Sequence, residues 1–328
     1  MKIAFDVMGF ENKTSEAIIA ARKILKKYKD VEIILVGDKK KIEPLIAKKD
    51  KFEIYHADDV IQMDSSPIQA IRMTNSSMYK ATQLVANNIA DGVLSAGSTA
   101  CFVTIVHFLL KPINKLSKVG FMPFLPTTKK GKYFVIIDVG ANKNCDGIDL
   151  YNFAKMANIY FKNIENIANP SIGIINIGTE ANKGFEYQHQ ANEMLSKDKN
   201  INYVGFVEPR DLLQGIVDIA ISDGYTGNLV LKSVEGGLKA ISAVLKRNFK
   251  KPWNWLSALT SAFVIKNVSK TFDYKNKAGA IVLGLNKPAV KTHGSADKEQ
   301  FYSALVLLHN IIDKKVTEKI REEFDDAE

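Results

Sequence analysis

The sequence predicts an α/β fold of three layers, in which helices cover both faces of a mostly parallel sheet. Eight short apolar runs, from residues 2–7 to residues 217–222, alternate with amphipathic stretches of helical length. This alternation is typical of parallel sheets that helices bury on both faces. A chain of 328 residues allows two lobes or one elaborated domain, and no clear flexible linker divides it. We therefore expect a single α/β domain over residues 1–328.

The predicted strands are KIAFDV (2–7), VEIILVG (31–37), FEIYH (52–56), GVLSA (92–96), YFVIIDV (133–139), SIGIINI (171–177), INYVGF (201–206) and VDIAIS (217–222). Residues 14–28 carry an apolar stripe at helical spacing, which predicts an amphipathic helix after the first strand. The Ser-Pro pair at 66–67 predicts a helix N-terminus, and Gly92 predicts the stop of a helix that begins at Ser77. Residues 111–132 break the alternation, and we expect them to form a bent excursion from the sheet.

Composition and charge exclude several classes of protein. Hydrophobic residues at 46% and charged residues at 25% are ordinary for a globular chain, so disordered and fibrous classes are excluded. The formal net charge of +9 favours an acidic partner electrostatically without identifying it. No basic run is interleaved with aromatic residues, so we expect no nucleic-acid binding and regard most lysines as a solvated surface.

The two cysteines, Cys101 and Cys145, are too few and too far from other ligands to form a zinc site or a disulfide framework. The N-terminus enters a strand directly, without the features of a secretion signal. We therefore expect a cytoplasmic protein.

Four predicted strands end in glycine-rich turns with polar side chains. SAGSTA (95–100) precedes an apolar helical run, and backbone N–H groups at a helix N-terminus bind phosphate or carboxylate. Similar turns are DVGANKN (138–144), NIGTEANKG (176–184) and SDGYTGN (222–228). Any one such turn is common between strands and helices. Because open α/β sheets bind ligands beyond the carboxyl ends of their strands, we expect the four turns to line a shared crevice.

Nearly the whole chain resembles the bacterial phosphate acyltransferases, which form acyl phosphate from acyl carrier protein and phosphate at the start of phospholipid synthesis. The matching motifs, in the family's order, are DVMG (6–9), VIQMDSSPIQAIR (60–72), NSSMYKATQLV (75–85), SAGSTA (95–100), DVGANKNC (138–145), NIGTEANKG (176–184), GFVEPRDLL (205–213), SDGYTGNLVLK (222–232) and GAIVLGLNKPAVKTHGSAD (279–297). The resemblance implies a fold like that of isocitrate and isopropylmalate dehydrogenases, a homodimer, and no metal or other cofactor.

The resemblance also implies roles for individual residues. Phosphate is its own nucleophile, so the reaction needs positioning and preorganised donors rather than a nucleophilic triad. Lys183 is the expected cation for phosphate or for the developing oxyanion, and Asn176 and Asn228 are expected amide donors. His293 is a candidate proton donor to the departing thiolate, with a structural role as the alternative. The residues expected to bind phosphate or substrate are Ser95, Gly97, Ser98, Thr99, Asp138, Asn142, Asp223 and Gly227, of which the two aspartates are expected to orient donors.

Residues 250–275 form a predicted apolar helical segment that protrudes from the domain. Its stretch from Trp253 to Ile265 is flanked by lysines and is shorter than the ~20 residues that a bilayer requires. A buried or dimer-interface helix is one interpretation, whereas the resemblance implies peripheral contact with a membrane. The expected membrane-facing residues are Trp253, Trp255, Leu256, Leu259 and Phe263.

Three alternatives to the carrier-protein reaction stay open. The first is a phosphate acetyltransferase that uses coenzyme A, and the second is a dehydrogenase with the same fold. The third is an inactive module that binds carrier protein or membrane, because Phe10, Ser98 and Ala100 depart from the family pattern.

Overall fold

The computed structural model describes residues 1–249 and 277–325, and in this part of the chain eleven strands form one sheet. The strands are β1 (Lys2–Asp6), β2 (Glu32–Gly37), β3 (Phe52–His56), β4 (Gly92–Ser95), β5 (Gly120–Pro126), β6 (Tyr133–Ile137), β7 (Ser171–Ile175), β8 (Asn202–Val207), β9 (Ile219–Ile221), β10 (Ala280–Leu283) and β11 (Ala289–Lys291). The α-helices are α1 (Thr14–Lys27), α2 (Lys39–Ile42), α3 (Pro67–Arg72), α4 (Ser77–Ala86), α5 (Thr99–Leu110), α6 (Gly147–Tyr160), α7 (Glu186–Lys197), α8 (Gly224–Phe249), α9 (Lys298–Asp313) and α10 (Val316–Asp325).

The sheet consists of two parallel blocks that run in opposite directions. Its strand order is β3-β2-β1-β4-β11-β10-β5-β6-β9-β7-β8. Seven of the ten pairings between neighbours are parallel, which confirms the mostly parallel sheet. The three antiparallel pairings, β11 with β10, β10 with β5, and β5 with β6, reverse the direction between the blocks. The carboxyl ends of β1, β4 and β11 therefore lie at the opposite edge of the sheet from those of β6, β7 and β9.

Each face of the sheet has its own apolar core, as alternation along the strands requires. Ile3 and Phe5 of β1 lie in the core beneath α1, α6 and α9, whereas Ala4 lies in the core beneath α4 and α5. These two layers of helices confirm the predicted three-layer architecture.

All eight predicted strands are present, with ends shifted by two residues or fewer. The prediction of an excursion over residues 111–132 is wrong, because this stretch contains β5 in the middle of the sheet. The two prolines within β5 and the lysines around it obscure the strand pattern in the sequence. The strand is stable only because it lies between two antiparallel neighbours. The strands β10 and β11 were also missed, since runs of four and three residues carry no readable period.

The helix ends follow local capping chemistry. Ser66 caps α3 with the reciprocal hydrogen bonds of a capping box with Gln69, which confirms the predicted N-terminus. The helix that is predicted over residues 77–90, before Gly92, ends at Ala86, because Asn88 takes a left-handed conformation with φ 58°.

None of the helices in residues 1–249 and 277–325 combines the length and the apolarity needed to cross a bilayer. The predicted apolar segment 250–275, with its membrane-facing residues, lies outside the described residues.

Candidate functional site

The loop after β6 is organised around the buried carboxylate of Asp138. Its Oδ1 accepts hydrogen bonds from the backbone N–H groups of Phe121, Gly140 and Ala141, at 2.9, 3.2 and 3.0 Å. Its Oδ2 accepts from the backbone and side-chain N–H groups of Asn142, at 2.7 and 3.0 Å. Burial raises the pKa of Asp138, although these donors oppose the shift. Asp138 and Asn142 therefore hold the loop, and the Asp138 carboxylate does not reach solvent.

The N-terminus of α8 packs directly against this loop. Asp223 accepts a hydrogen bond from Thr226 N at 2.9 Å, and its other oxygen accepts from the hydroxyl of Tyr187 at 3.0 Å. A Cβ atom at Gly227 would lie 2.0 Å from the carbonyl oxygen of Asp138. Gly227 thus permits the close approach of two backbones, and its expected contact with a ligand stays a prediction.

The loop after β7 is closed by the side chain of Asn176. Its Nδ2 donates to the carbonyl oxygen of Lys183 at 2.9 Å, and its Oδ1 accepts from Ile177 N at 2.8 Å. Gly184 follows with φ +98°, and a Cβ there would lie 2.7 Å from side-chain oxygens of both Asn176 and Gln188. Asn176 is only 4% exposed, so its amide positions the Lys183 loop rather than pointing to an external ligand.

Two candidate side chains at this edge are accessible to a ligand. Lys183 and Asn228 are both exposed, and neither side chain has a hydrogen bond or ion pair with another described residue. The amide of Asn228 lies beside the Asp138 loop, because a Cβ atom at Gly140 would lie 3.8 Å from Nδ2 of Asn228. The buried network therefore leaves an ammonium group and an amide at the surface of one cluster.

The loop after β4 lies at the other edge of the sheet. The hydroxyl of Ser95 donates to Oδ2 of the buried Asp6 at 2.7 Å and accepts from Gly97 N at 3.2 Å. Burial raises the pKa of Asp6 to about 6, against the hydrogen bonds that it accepts. Ser98 is the N-cap residue of α5 but makes no side-chain cap bond, and Thr99 beside it is exposed. The N–H groups of the first turn of α5 thus remain the anion-binding feature that the sequence predicts.

His293 belongs to the same edge as Ser95, not to the cluster of Lys183. It follows β11, and its Nδ1 accepts from Ser295 N at 3.2 Å, which leaves the proton on Nε2. The pKa of His293 is lowered, first by partial burial of the ring and second by the charge of Lys291. His293 and Lys183 thus follow strands that run in opposite directions, and a shared catalytic role for them stays a prediction.

Helix α8 connects the two edges. Asn228, Lys232, Glu235 and Lys239 are spaced to lie along one side of a helix. Asn228 faces the Asp138 loop, whereas Lys232 and Glu235 act electrostatically on Lys291, and Glu235 and Lys239 act on His293. Asn228 and Glu235 are about 10 Å apart along the axis at 1.5 Å per residue. The four turns thus belong to two polar clusters that are linked along one side of α8, and the shared crevice stays a prediction.

Similarity to known proteins identifies the family. A family model described as "Fatty acid synthesis protein" matches residues 1–319. The phosphate acyltransferase of Malacoplasma penetrans is 51% identical over 326 residues, 99% of this chain and 98% of that protein. The phosphate acyltransferase of Mycoplasmoides gallisepticum is 48% identical over 325 residues, 98% of each chain. The chain belongs to the phosphate acyltransferase family. This confirms the resemblance read from the sequence motifs, and the protein is an acyltransferase.

Solved structures support the fold of this phosphate acyltransferase family member. A phosphotransacetylase from Streptococcus pyogenes matches with a TM-score of 0.61 at 18% identity, covering 97% of this chain and 94% of that one. An isocitrate dehydrogenase from Methylococcus capsulatus matches with a TM-score of 0.51 at 10% identity, covering 99% and 91%. These likenesses confirm the predicted dehydrogenase-like architecture and concern the fold alone.

Within residues 1–249 and 277–325, no three His, Cys, Asp or Glu side chains converge as ligands for a metal ion. Burial raises the pKa of the Cys145 thiol to about 12, so this thiol is protonated at neutral pH.

Four residues of the two clusters were not among the sequence candidates. Asp6 lies in the DVMG motif, and its carboxylate could have been expected at the end of a buried strand. Tyr187 and Gln188 lie in α7, where helical periodicity gives no sign that they bond to Asp223 and Phe185. Lys291 ends a strand too short to be predicted.

Proposed function

We propose that the protein transfers a fatty acyl group from the thioester of acyl carrier protein to inorganic phosphate, with Lys183 and Asn228 acting on the reacting atoms. Its family membership supports acyl transfer to phosphate in fatty acid and phospholipid synthesis. The proposal adds the acyl donor and the residues.

The residue assignment rests on a contrast between two kinds of polar side chain: those that form hydrogen bonds within the protein and those that are exposed without such bonds. Asp138, Asn142 and Asp223 use their polar atoms to hold the backbone. Lys183 and Asn228 are exposed beside them without partners among the described residues. Rigid support beneath open donors is the arrangement that stabilises charge in a transition state at little reorganisation cost.

The reaction needs only groups of these types. An oxygen of phosphate attacks the thioester carbonyl carbon, a C–O bond forms, and the carbonyl oxygen becomes an oxyanion. Collapse of this intermediate breaks the C–S bond and releases acyl phosphate and a thiolate, which takes up one proton to become the carrier thiol. Lys183 supplies a positive charge and Asn228 an N–H donor to the oxyanion, and losing one such donor typically costs 10²–10³-fold in rate.

The test compares wild-type protein with Lys183→Ala, supplied with inorganic phosphate and palmitoyl-acyl carrier protein. We expect acyl phosphate formation by the wild type and at least a ~100-fold lower kcat in the variant. Lys199→Ala is the matched control, because Lys199 is also exposed but lies away from these loops. A Lys183→Ala variant as active as Lys199→Ala contradicts the role of Lys183.

The same assay with palmitoyl-coenzyme A and acetyl-coenzyme A distinguishes the acyl donor. Turnover with the carrier-protein thioester alone supports the proposal, whereas turnover only with coenzyme A thioesters favours the soluble-thioester alternative. A folded wild type that uses none of them favours an inactive binding module.

We also propose that the protein works in the cytoplasm as a homodimer in peripheral contact with a membrane. The exposed apolar residues Ile241, Val244 and Leu245 near the end of α8 support a contact surface there. The net charge of +9 supports attraction to an acidic carrier protein or to anionic lipid. Sedimentation velocity and flotation with anionic phospholipid vesicles test the two contacts separately. A monomer that stays with the vesicle-free fraction contradicts both.

A further inference from the structure

Lys291 is a buried ammonium group that the roles above do not use. It ends β11, is only 6% exposed, and donates one hydrogen bond, from Nζ to the carbonyl oxygen of Thr292 at 2.7 Å. In the described part of the chain it forms no ion pair with a carboxylate. An ammonium group buried without a counter-charge is costly, unless the group becomes neutral or an anion joins it.

The position of Lys291 in the sheet places it next to the loop after β4. In the parallel pairing of β11 with β4, Lys291 lies beside Ser95, so both side chains point to the same face. Ser95 is in turn bonded to Asp6 of β1. Ser98, the N-cap residue of α5, follows Ser95 by three residues, and the first-turn N–H groups of α5 lie at the same edge of the sheet.

The charges around Lys291 come from three directions. Lys232 of α8 opposes its protonation, whereas Glu235 of α8 and Glu11 of the loop after β1 favour it. His293, two residues along the chain, titrates in the field of the same groups, and Asp6 is the buried carboxyl on the neighbouring strands. Burial has the largest effect and lowers the pKa of Lys291 to about 8.

We propose that Lys291 binds the phosphate substrate, together with the N-terminus of α5 and the hydroxyl of Ser98. This inference rests on the proposed acyl transfer to phosphate and assigns its second substrate to the edge opposite Lys183. The phosphate dianion supplies the directly paired counter-charge that Lys291 lacks among the described residues, where Glu11 and Glu235 act on it without forming an ion pair. The buried ammonium and the helix N-terminus together form a site for a multiply charged oxyanion.

The spacing of residues along α8 agrees with separate roles for Lys291 on phosphate and Asn228 on the thioester carbonyl. Asn228 and the charges that act on Lys291 are one to two helical turns apart, roughly 6 to 10 Å. Phosphate and a thioester carbonyl in contact, each with its own donor on the outer side, need a span of this order. In this proposal Lys291 acts on the phosphate and Asn228 acts on the carbonyl oxygen of the thioester.

The variant that tests the proposal is Lys291→Gln, with Lys199→Gln as the matched control on the surface. We expect the KM for inorganic phosphate to rise at least 10-fold in Lys291→Gln, while the KM for palmitoyl-acyl carrier protein changes less than twofold. Lys291→Met is the second variant if the glutamine variant does not fold. A rise confined to the KM of the carrier-protein thioester overturns the proposal, because Lys291 would then contact the phosphodiester of the carrier.

A binding measurement keeps this inference separate from the reaction itself. Inorganic phosphate should raise the Tm of the wild type and of Lys199→Gln but not that of Lys291→Gln. Loss of this Tm shift supports the site even if no acyl donor is turned over. Wild-type turnover with an unchanged KM for phosphate in Lys291→Gln leaves the proposed function standing and removes Lys291 from it.

The pH dependence gives a further readout. As pH rises through about 8, Lys291 loses its proton and its attraction for phosphate, so the wild-type KM for phosphate should rise. Lys291→Arg keeps its charge and should lose this rise, while the titration of phosphate itself is common to both proteins. Identical pH profiles for wild type and Lys291→Arg contradict the proposal.

Discussion

At the residue scale, the polar side chains of the loops differ in what they contact. Asp138 accepts hydrogen bonds from four residues and Asp223 from two, so each is committed to the backbone or to a neighbouring side chain. Lys183 has no such commitment. The departure at Phe10 is likewise absorbed by packing, since its ring lies 5.1 Å from that of Phe301.

Gly184 offers a test of how strictly the Lys183 loop is held. Gly184→Ala should lower the free energy of unfolding by about 1–3 kcal/mol, because alanine is strained at φ +98° and its Cβ meets Asn176 and Gln188. We expect kcat to fall at least 10-fold in the same variant, as Lys183 is displaced. Gly236→Ala is the control, because Gly236 is helical with open space around it and should be neutral or stabilising. Urea unfolding gives the stability of both variants, and an acyl phosphate assay gives their kcat. Equal kcat values would show that the position of the Lys183 loop does not affect catalysis.

At the element scale, helix ends decide which groups meet. The first turn of α6 carries Asp149, which is 1% exposed and accepts hydrogen bonds from Ser117, Lys118 and the N–H of Asp146. These bonds tie α6 to the chain that enters β5, and hence to the loop that Asp138 organises. Burial by itself opposes ionisation, but the bonds from Lys118 and Ser117 hold the pKa of Asp149 below its usual value.

Asp149→Asn should therefore destabilise the protein by about 2–4 kcal/mol at pH 7, because Lys118 loses its partner in a partly buried place. The contribution of Asp149 is present above its unfolded pKa and is lost as pH falls through its lower folded pKa. Glu193→Gln removes an exposed pair with Lys197 that solvent screens, so it should lower the free energy of unfolding far less than Asp149→Asn does. Urea unfolding of both variants decides the point, and similar losses would argue against the buried pair.

At the scale of the whole molecule, the reversal of strand direction sets where chemistry can occur. Two blocks of parallel strands direct their carboxyl ends to opposite edges, and α8 crosses between them. Burial raises the pKa of Asp6 at one edge and of Asp138 at the other, whereas the pKa of Asp149 is lowered. The contributions of Asp6 and Asp138 to stability therefore change with pH in the opposite direction to that of Asp149.

Asp6 predicts a measurable slope in stability. Its folded pKa of about 6 exceeds the ordinary value of 3.8 for an aspartate, so the native state binds more protons than the unfolded state between these pH values. Its contribution to stability therefore falls as pH rises from 4 to 6. Compared with wild type, Asp6→Asn should become relatively more stable by roughly 1–3 kcal/mol between pH 4 and pH 7. Chemical denaturation at each pH measures the difference in free energy of unfolding between the two proteins. A difference that is constant across this range would contradict the raised pKa of Asp6.

The sequence determined the fold class, eight strands and the family, because buried strands and amphipathic helices carry their own periodicities and the motifs are local. It also predicted Lys183 and Asn228 as site residues, from glycine-rich segments that follow two of the strands. Only the tertiary structure revealed β5, β10 and β11, whose stability comes from antiparallel neighbours far away in sequence. Those strands reverse the sheet, so the separation of His293 from Lys183 and the burial of Lys291 beside Ser95 depend on pairings between distant segments, which no local pattern encodes.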